Sequence, residues 1–461
     1  MNPFYNPVFL GKILKRYLVD VDRLDRINEE SLHRFQDTRL RKLVRFADTV
    51  PLYHEKFQTE GVQPSDIKGM DDLHRLPCVT KEDLKRHYPE GIISRRVRKD
   101  SLIEVSTSGT TGKVLPLYVD LLDIVMGLFA YMRTLHEYDL NIWNDRITII
   151  GDFAPHTAES GYVTRGVQPR FNLTGLFKNV QWLNTNDDPK KVIAAIDEFQ
   201  PVFIGGYVGM LGHLALLKET GFGDNISPRY IAATGSVLDS FLKSYIEKTF
   251  QTKVFEVYGA TESGLIGFQC KQGSYHLMSD LVYAEFYKNG TPIESDDAGE
   301  MILTKFHGSG TPILRYNAIN DIVAPLQGSC SCGKAGSLIK KVYGRNDLAL
   351  YRSDGTVLLP STFSEIYSKL LYELRTNKVR NTKIIQHDFS NLEIQVVIDD
   401  TLRATSPSDE EIYEFLRKGF QGKMGPDVTV SVKEVSSVDT SQGPRIVSLI
   451  DKKNYTIKRY M

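Results

Sequence analysis

The sequence predicts an α/β protein in two parts. The first is a large N-terminal domain, residues 1–345, of layered sheets and helices with a β subdomain; the second is a small α+β C-terminal domain, residues 346–461. Three observations carry this. Between residues 102 and 262 short apolar runs alternate with helical stretches, the order that gives parallel strands covered by helices. From Tyr283 to Tyr316 the helical spacing stops and short β runs follow one another. Beyond Val342–Gly355 a new strand–helix–strand set begins, in a span of small-domain size.

Each element has its own justification. Leu40, Leu43, Val44 and Ala47 recur at i, i+3, i+4 and i+7, one apolar face of a helix within residues 30–60 that Pro51 interrupts. Thr80 is an N-cap, with Glu82 and Asp83 favourable in the first turn behind it. RITIIGDF (146–153), PVFIGGY (201–207), YIAATGS (230–236) and TKVFEVYGATE (252–262) read as strands, with KKVIAAIDEF and DSFLKSYIEKTF as helices between them. GEMILT and PILRY read as strands of the β meander. In the last part Leu392, Ile394, Val396 and Ile398 alternate with polar Glu393 and Gln395, a strand with one buried face. Ile412, Phe415 and Leu416 mark a helix, and Asp427–Lys433 a second strand.

Composition narrows the function classes. Lys plus Arg and Asp plus Glu both count 57, so no global field draws nucleic acid or an anionic membrane. No apolar run nears the ~20 residues of a membrane span, and the first residues lack the pattern of a signal peptide, so the expected location is cytoplasmic. Four cysteines in 461 residues do not make a disulfide framework. There is no G-x-S-x-G elbow and no dinucleotide-binding fingerprint in the right setting.

One loop asks for an explanation. VSTSGTTGKVLPLYVD (Val105–Asp120) packs hydroxyls and glycines ahead of Lys113. It is not a Walker A loop, which has four residues between its glycines; here two separate Gly109 from Gly112, and Val114 follows the lysine. Hydroxyls and glycine-exposed backbone N–H groups suit a phosphate cradle; a polar surface turn is the other reading. Separately, Cys270, His276, Cys330 and Cys332 offer three thiolates and an imidazole, a set suited to tetrahedral zinc. Their Cys-x-Cys spacing is tighter than the common one, and reduced, unligated thiols are the other reading. His156 stands in a loop where an acyl pocket could form, and the Arg95–Lys99 run could steer an anionic cosubstrate; a structural or surface histidine and a solvated turn are the favoured readings.

Five segments in order then carry a resemblance: STSGTTGK (Ser106–Lys113), VYGATESG (Val257–Gly264), LRYNAIND (Leu314–Asp321), YGRNDL (Tyr343–Leu348) and TSQGPR (Thr440–Arg445). Together they resemble the adenylate-forming superfamily of acyl–coenzyme A synthetases, luciferases and peptide-synthetase adenylation domains. The flank from Val50 to Gly91 is similar to the phenylacetate–coenzyme A ligase-like branch. The likeness covers nearly the whole chain and is weakest over the last hundred residues.

The resemblance implies ATP-dependent, AMP-forming activation of a carboxylic acid, an aryl acid such as a phenylacetate, followed by transfer to coenzyme A. An amine acceptor, and a non-catalytic nucleotide-binding role, stay open beside it. It implies that Thr107, Ser108, Gly109, Thr110, Thr111 and Gly112, with Lys113, wrap the β- and γ-phosphates. Glu262 would ligate Mg²⁺, Tyr258 and Gly259 would meet adenine, and Thr261 the α-phosphate. Asp321 would accept the ribose hydroxyls, Arg345 would contact the nucleotide, and Asp347 would be the hinge of a mobile small domain. Two departures stand out. Ser236 occupies an adenine-side position that is usually acidic, and Pro444 follows Gly443 where the family has its C-terminal lysine, leaving Arg445 as the candidate cation. The branch often shows the Cys/His set as a structural Zn²⁺ site. The oligomeric state is open, a homodimer included.

Overall fold

The computed structural model describes residues 6–106, 115–154, 157, 159–161, 177–293, 296–438, 445–452 and 455–461. The expected phosphate loop with Thr107, Ser108, Gly109, Thr110, Thr111, Gly112 and Lys113 lies outside the described residues, as do His156, Gly443 and Pro444.

The chain opens with helices α1 (Pro7–Asp20), α2 (Arg23–Arg26), α3 (Glu29–Ala47), α4 (Pro51–Thr59) and α5 (Lys81–His87). The apolar stripe of α3 is buried as its spacing predicts, Leu40, Leu43, Val44 and Ala47 all facing the core. Thr80 caps α5 in a reciprocal box: Asp83 N–H donates to Thr80 Oγ1 at 3.1 Å, and Thr80 N–H to Asp83 Oδ2 at 2.9 Å. Strands β1 (Ile103–Ser106) and β2 (Pro116–Val119) pair antiparallel, and α6 (Leu121–Glu137) follows behind an Asp120 cap.

The next strands are β3 (Ile147–Gly151), β4 (Val180–Asn184), β5 (Phe203–Tyr207), β6 (Tyr230–Thr234) and β7 (Lys253–Ala260). Helices α7 (Pro189–Phe199), α8 (Val208–Glu219) and α9 (Ser240–Phe250) alternate with them. Then come β8 (Gly264–Gln269), β9 (Tyr275–Leu277), β10 (Val282–Lys288), β11 (Thr291–Pro292), β12 (Gly299–Lys305), β13 (Asp321–Leu326) and β14 (Leu338–Arg345). These twelve strands form one sheet in the order β11-β10-β12-β13-β14-β9-β8-β7-β6-β5-β3-β4. From β4 to β7 every pairing is parallel, and from β7 onward every pairing is antiparallel. Neighbouring residues on the parallel strands enter different cores. Phe203 and Ala232 join the core with α3, α4 and α6, whereas Ile204 and Ala233 join α7, α8 and α9. Burial on both faces is why these strands read as continuous apolar runs rather than alternating ones.

The expected strand at PILRY does not form. Arg315 is left-handed, with φ at +46°, and of this segment only Tyr316 makes isolated bridges, to Leu303 on one side and Val79 on the other. Long-range bonds hold that backbone: Arg315 pairs with Glu285 (3.0 Å from Nε to Oε2 and 3.0 Å from Nη2 to Oε1) and donates to the carbonyl of His74 at 2.9 Å.

After Arg345 the chain builds a three-stranded sheet from β15 (Leu350–Tyr351), β16 (Thr356–Leu358) and the terminal β21 (Arg459–Tyr460). Helix α10 (Pro360–Tyr372) leads to β17 (Val379–Gln386) and β18 (Asn391–Ile398). Helix α11 (Asp409–Met424), β19 (Thr429–Glu434) and β20 (Ile446–Ser448) complete a second sheet, in the order β19-β18-β17-β20. It has its own core, where Phe363 and Phe420 stack at 5.1 Å over buried Leu392, Ile394, Val396 and Ile398. Helix α10 docks on α9 through stacked Tyr372 and Tyr245, 4.8 Å apart, and through Ser368 Oγ donating to Asp239 at 2.6 Å. Among the described residues no helix is long and apolar enough to cross a membrane.

Candidate active site

A cavity of about 700 Å³ lies at the seam where the parallel half of the sheet becomes antiparallel. One wall is polar. It is built by the end of β7 and the turn after it (Tyr258, Thr261 and Glu262), by Asp321 at the start of β13, and by Arg345 at the end of β14. The β13–β14 register sets Asp321 opposite Arg345, so residues 24 positions apart share an edge because an antiparallel pair folds back on itself. Tyr258 donates its hydroxyl to Asp321. Tyr316 donates to Glu262 Oε1 at 3.5 Å. Arg345 grips Asp347 in a fork, Nε to Oδ1 at 2.9 Å and Nη2 to Oδ2 at 2.7 Å.

Burial governs the electrostatics of this wall. It raises Glu262 above the usual carboxyl range, with only partial relief from its own backbone N–H, Lys81 and Arg345. It pushes Asp321 up to about 6, against the Tyr258 hydrogen bond and the Arg345 charge. The charge of Asp321 raises Glu262 further, and a cation or hydrogen-bond donors between two such carboxyls would relieve both.

Lys81, which was not singled out from sequence, also faces the cavity. Burial lowers its pKa, the like charges of Lys85 and Arg345 lower it further, and Glu262 partly restores it. It is carried there by Val79, whose N–H donates to the Arg315 carbonyl at 2.9 Å and whose carbonyl accepts from Asn317 at 3.0 Å. Asp123 and His307 were missed as well. Asp123 is fully buried; burial would raise it, but Lys305 at 3.2 Å and His307 Nδ1 at 3.0 Å hold its carboxyl below the usual range. No local sequence signal marks either feature, because both depend on contacts between distant segments.

The opposite wall is mostly apolar, with Ile124, Leu128 and Tyr131 of α6 facing Ile149 and Trp182 of β3 and β4. Ser236 and Gly259 also line the cavity, and Leu348 and Pro360 close its edge. Arg445 is not on its lining. It is exposed at the start of β20, its carbonyl accepts from Ile384 N–H at 2.8 Å, and its charge acts on Tyr367 of the small core.

On the far side of β9, Cys270, His276, Cys330 and Cys332 converge, with their ligand atoms all within 4.8 Å of one another. Cys270 Sγ lies 3.7 Å from Cys330 Sγ, and Cys332 Sγ lies 3.3 Å from His276 Nε2. The pairing of β9 with β14 puts His276 opposite Leu338, just beyond the Cys-x-Cys loop, and thereby joins segments 60 residues apart. Three sulfurs and one nitrogen at this spacing fit a closed four-coordinate zinc site.

No family model matches the chain. Among curated proteins it is 23% identical to phenylacetate–coenzyme A ligase of Escherichia coli (strain K12), over 92% of this chain and 95% of that protein. It is 24% identical to phenylacetate–coenzyme A ligase of Thermus thermophilus, over 70% and 72%. It is 22% identical to Protein CapK of Staphylococcus aureus, over 84% and 82%. Its fold is similar to that of 2-hydroxyisobutyryl-CoA ligase in the postadenylation state, with a TM-score of 0.69, 16% identity, and coverage of 95% of this chain and 91% of that one. With the ordered motifs, the likeness in sequence supports the adenylate-forming superfamily and its phenylacetate–coenzyme A ligase-like branch, and the fold is similar to that of a CoA ligase.

Proposed function

We propose that this protein activates a carboxylic acid with Mg·ATP and passes the acyl group to coenzyme A. The observation that carries the reading is the convergence of Tyr258, Glu262, Asp321 and Arg345, from three separate segments, on one cavity with an apolar far wall. The substrate carboxylate attacks the α-phosphorus and pyrophosphate leaves, giving an acyl-AMP; the thiol then attacks the acyl carbon and AMP leaves. In this reading Asp321 accepts the ribose hydroxyls and Tyr258, with Gly259 and Ser236, flanks adenine. Thr261 and Arg345 meet phosphate oxygens, and the 107–113 loop with Lys113 holds the β- and γ-phosphates. Glu262 holds Mg²⁺, which when bound neutralises phosphate charge. Lys81 adds a cation to the phosphate side, supported by its position next to Glu262 and Arg345.

Residues 1–345 act as the adenylating domain and 346–461 as a mobile small domain hinged at Asp347. Rotation there would break the Arg345–Asp347 fork and change which face of the small domain meets the cavity. Arg445 approaches the site only in an arrangement other than this one, in which it stands in for the absent lysine. Cys270, His276, Cys330 and Cys332 hold a structural Zn²⁺ that pins the β8–β9 turn to the loop before β14; the protein should purify with about one zinc per chain.

Acid-dependent ATP–pyrophosphate exchange, run on pooled acids without coenzyme A, is the test. Exchange with any pool supports adenylation, and thioester formation on adding coenzyme A supports the acceptor. ATP binding without exchange across a broad panel sinks the reading.

A further inference from the structure

Of the lining carboxylates that the chemistry above does not use, Asp123 is held by Lys305 and His307, and Glu256 lies on β7; Glu159 stands at the aromatic end. Glu159 lines the cavity and is largely buried. Its Oε1 accepts the Tyr207 hydroxyl at 2.5 Å. Its Cγ lies 3.5 Å from where a Cβ on Gly151 would stand, beside the Phe153 ring. Phe153 packs edge-on against Trp182, with centroids 6.1 Å apart, so Glu159 belongs to the aromatic end rather than the Asp321–Arg345 end.

Tyr207 is itself fixed. Its ring lies against Gly235, where a Cβ would fall 2.2 Å from Cδ1, and Gly235 has φ +83°, a conformation that also favours glycine. The hydroxyl is therefore aimed at Glu159 by packing. Among the described residues no cation pairs with Glu159, and the nearest charge acting on it, Asp152, has the same sign. Burial holds its carboxyl above the usual range, with the Tyr207 bond and its own backbone N–H only partial offsets. A carboxylate so placed in an aromatic cavity is costly unless something supplies it with further donors.

Resting on acid adenylation in this cavity, we propose that the acid activated carries an amine or hydroxyl at the end remote from its reacting carboxylate, and that Glu159, oriented by Tyr207, receives that donor. The substrate class is thus a donor-bearing acid rather than a bare aryl acid such as phenylacetate. A site built to receive a donor rejects the analogue lacking it, because the acceptor positions of the carboxylate beyond its Tyr207 bond are then left unmet.

The experiment compares phenylacetate with its ring-hydroxylated and aminomethylated counterparts, and propionate with its 3-hydroxy and 3-amino counterparts. Exchange kinetics and calorimetric binding are measured on the full chain and on Glu159→Gln and Glu159→Leu. The expected result is a kcat/KM for the best donor-bearing acid at least about 100-fold above its bare analogue. That ratio should fall at least tenfold in Glu159→Leu. In Glu159→Gln, which keeps the shape, the ratio should survive better for a hydroxyl than for an ammonium donor. Equal use of bare and donor-bearing acids, or a ratio unchanged by both variants, overturns the proposal. So does a set in which no acid binds. Two outcomes separate the proposal from the reading beneath it. Glu159-dependent binding of a donor-bearing acid without exchange keeps the pocket assignment and removes adenylation. Exchange with bare acids and no donor preference keeps adenylation and removes the assignment.

Discussion

Replacing Asp321 with alanine removes the acceptor that the ribose diol would use. Asp321 is half-buried at the start of β13, takes one hydrogen bond from Tyr258 and faces Arg345 across the strand pair. Hydrogen bonds to a charged acceptor contribute roughly 1.5–3 kcal/mol each. Two ribose hydroxyls therefore account for about 3–6 kcal/mol, or roughly a 10²- to 10⁴-fold rise in the KM for ATP. Asp321→Asn keeps one carbonyl oxygen and should lose about half of that energy. The assay is pyrophosphate exchange with ATP and with 2′-deoxy-ATP. The parent protein should disfavour the deoxy nucleotide by about 10- to 100-fold, and Asp321→Ala should treat the two alike. Because the alanine variant also strips the buried Tyr258 hydroxyl of its acceptor, a stability loss of about 1–3 kcal/mol is expected, so kinetics are read well below the variant's Tm. An alanine variant that still discriminates between the nucleotides, or whose KM for ATP stays within about twofold of the parent, refutes the ribose assignment.

Four further outcomes follow from the structure. Burial raises Asp321 to about 6 in the folded state. ATP affinity that depends on the ionised carboxylate should be present above pH 6 and fall as pH drops through it, and Asp321→Asn should flatten the profile. The sign for stability is opposite: a folded pKa above the unfolded one favours the fold at low pH. The ligand-free protein should thus lose up to about 3 kcal/mol from this group as pH rises from 4 through 6, seen as a difference from Asp321→Asn in urea unfolding at pH 4.5 and pH 7. Arg133 on α6 forks Asp280 at 2.7 and 2.8 Å, with both side chains almost fully buried. Asp280→Asn should cost about 3–5 kcal/mol in denaturant unfolding, and a loss under about 1 kcal/mol would contradict an unscreened pair. Lys81→Ala should lower kcat/KM for ATP by about ten- to a hundredfold through lost charge-assisted contacts, with Lys81→Arg recovering part of it; a variant within twofold of the parent would remove Lys81 from the phosphate side.

How far the fold is legible in the sequence depends on where each backbone decision is made. The strands at 147–151, 203–207, 230–234 and 253–260 are readable because each is a short apolar run with its own boundaries. The 312–316 segment has the same apolar look and fails as a strand, since the φ of Arg315 is held by Glu285 and the His74 carbonyl. Nothing within five residues announces either partner. The same holds at the cavity. Tyr258, Glu262, Asp321 and Arg345 stand out as ordered motifs, and the sheet brings them to one wall. Lys81 looks like any basic residue behind an N-cap until Val79 is tied to the Arg315 carbonyl. Glu159 lies in a stretch with no regular period, and its meaning comes from Tyr207, 48 positions away.

The change of strand direction at β7 divides labour as well as geometry. Tyr258, Glu262, Asp321 and Arg345 all stand from β7 onward, on the antiparallel side, while Trp182 and Tyr207, and Glu159 with them, hang from the parallel side. Among the described residues, the β4–β5, β5–β6 and β6–β7 connections on the parallel side are helical crossovers, and those on the other side are loops. A crossover can be lengthened or re-sequenced without disturbing the Asp321–Arg345 register. Such a chain can exchange one acid for another while its grip on a common energy carrier is inherited unchanged, as a tool keeps its handle through successive blades.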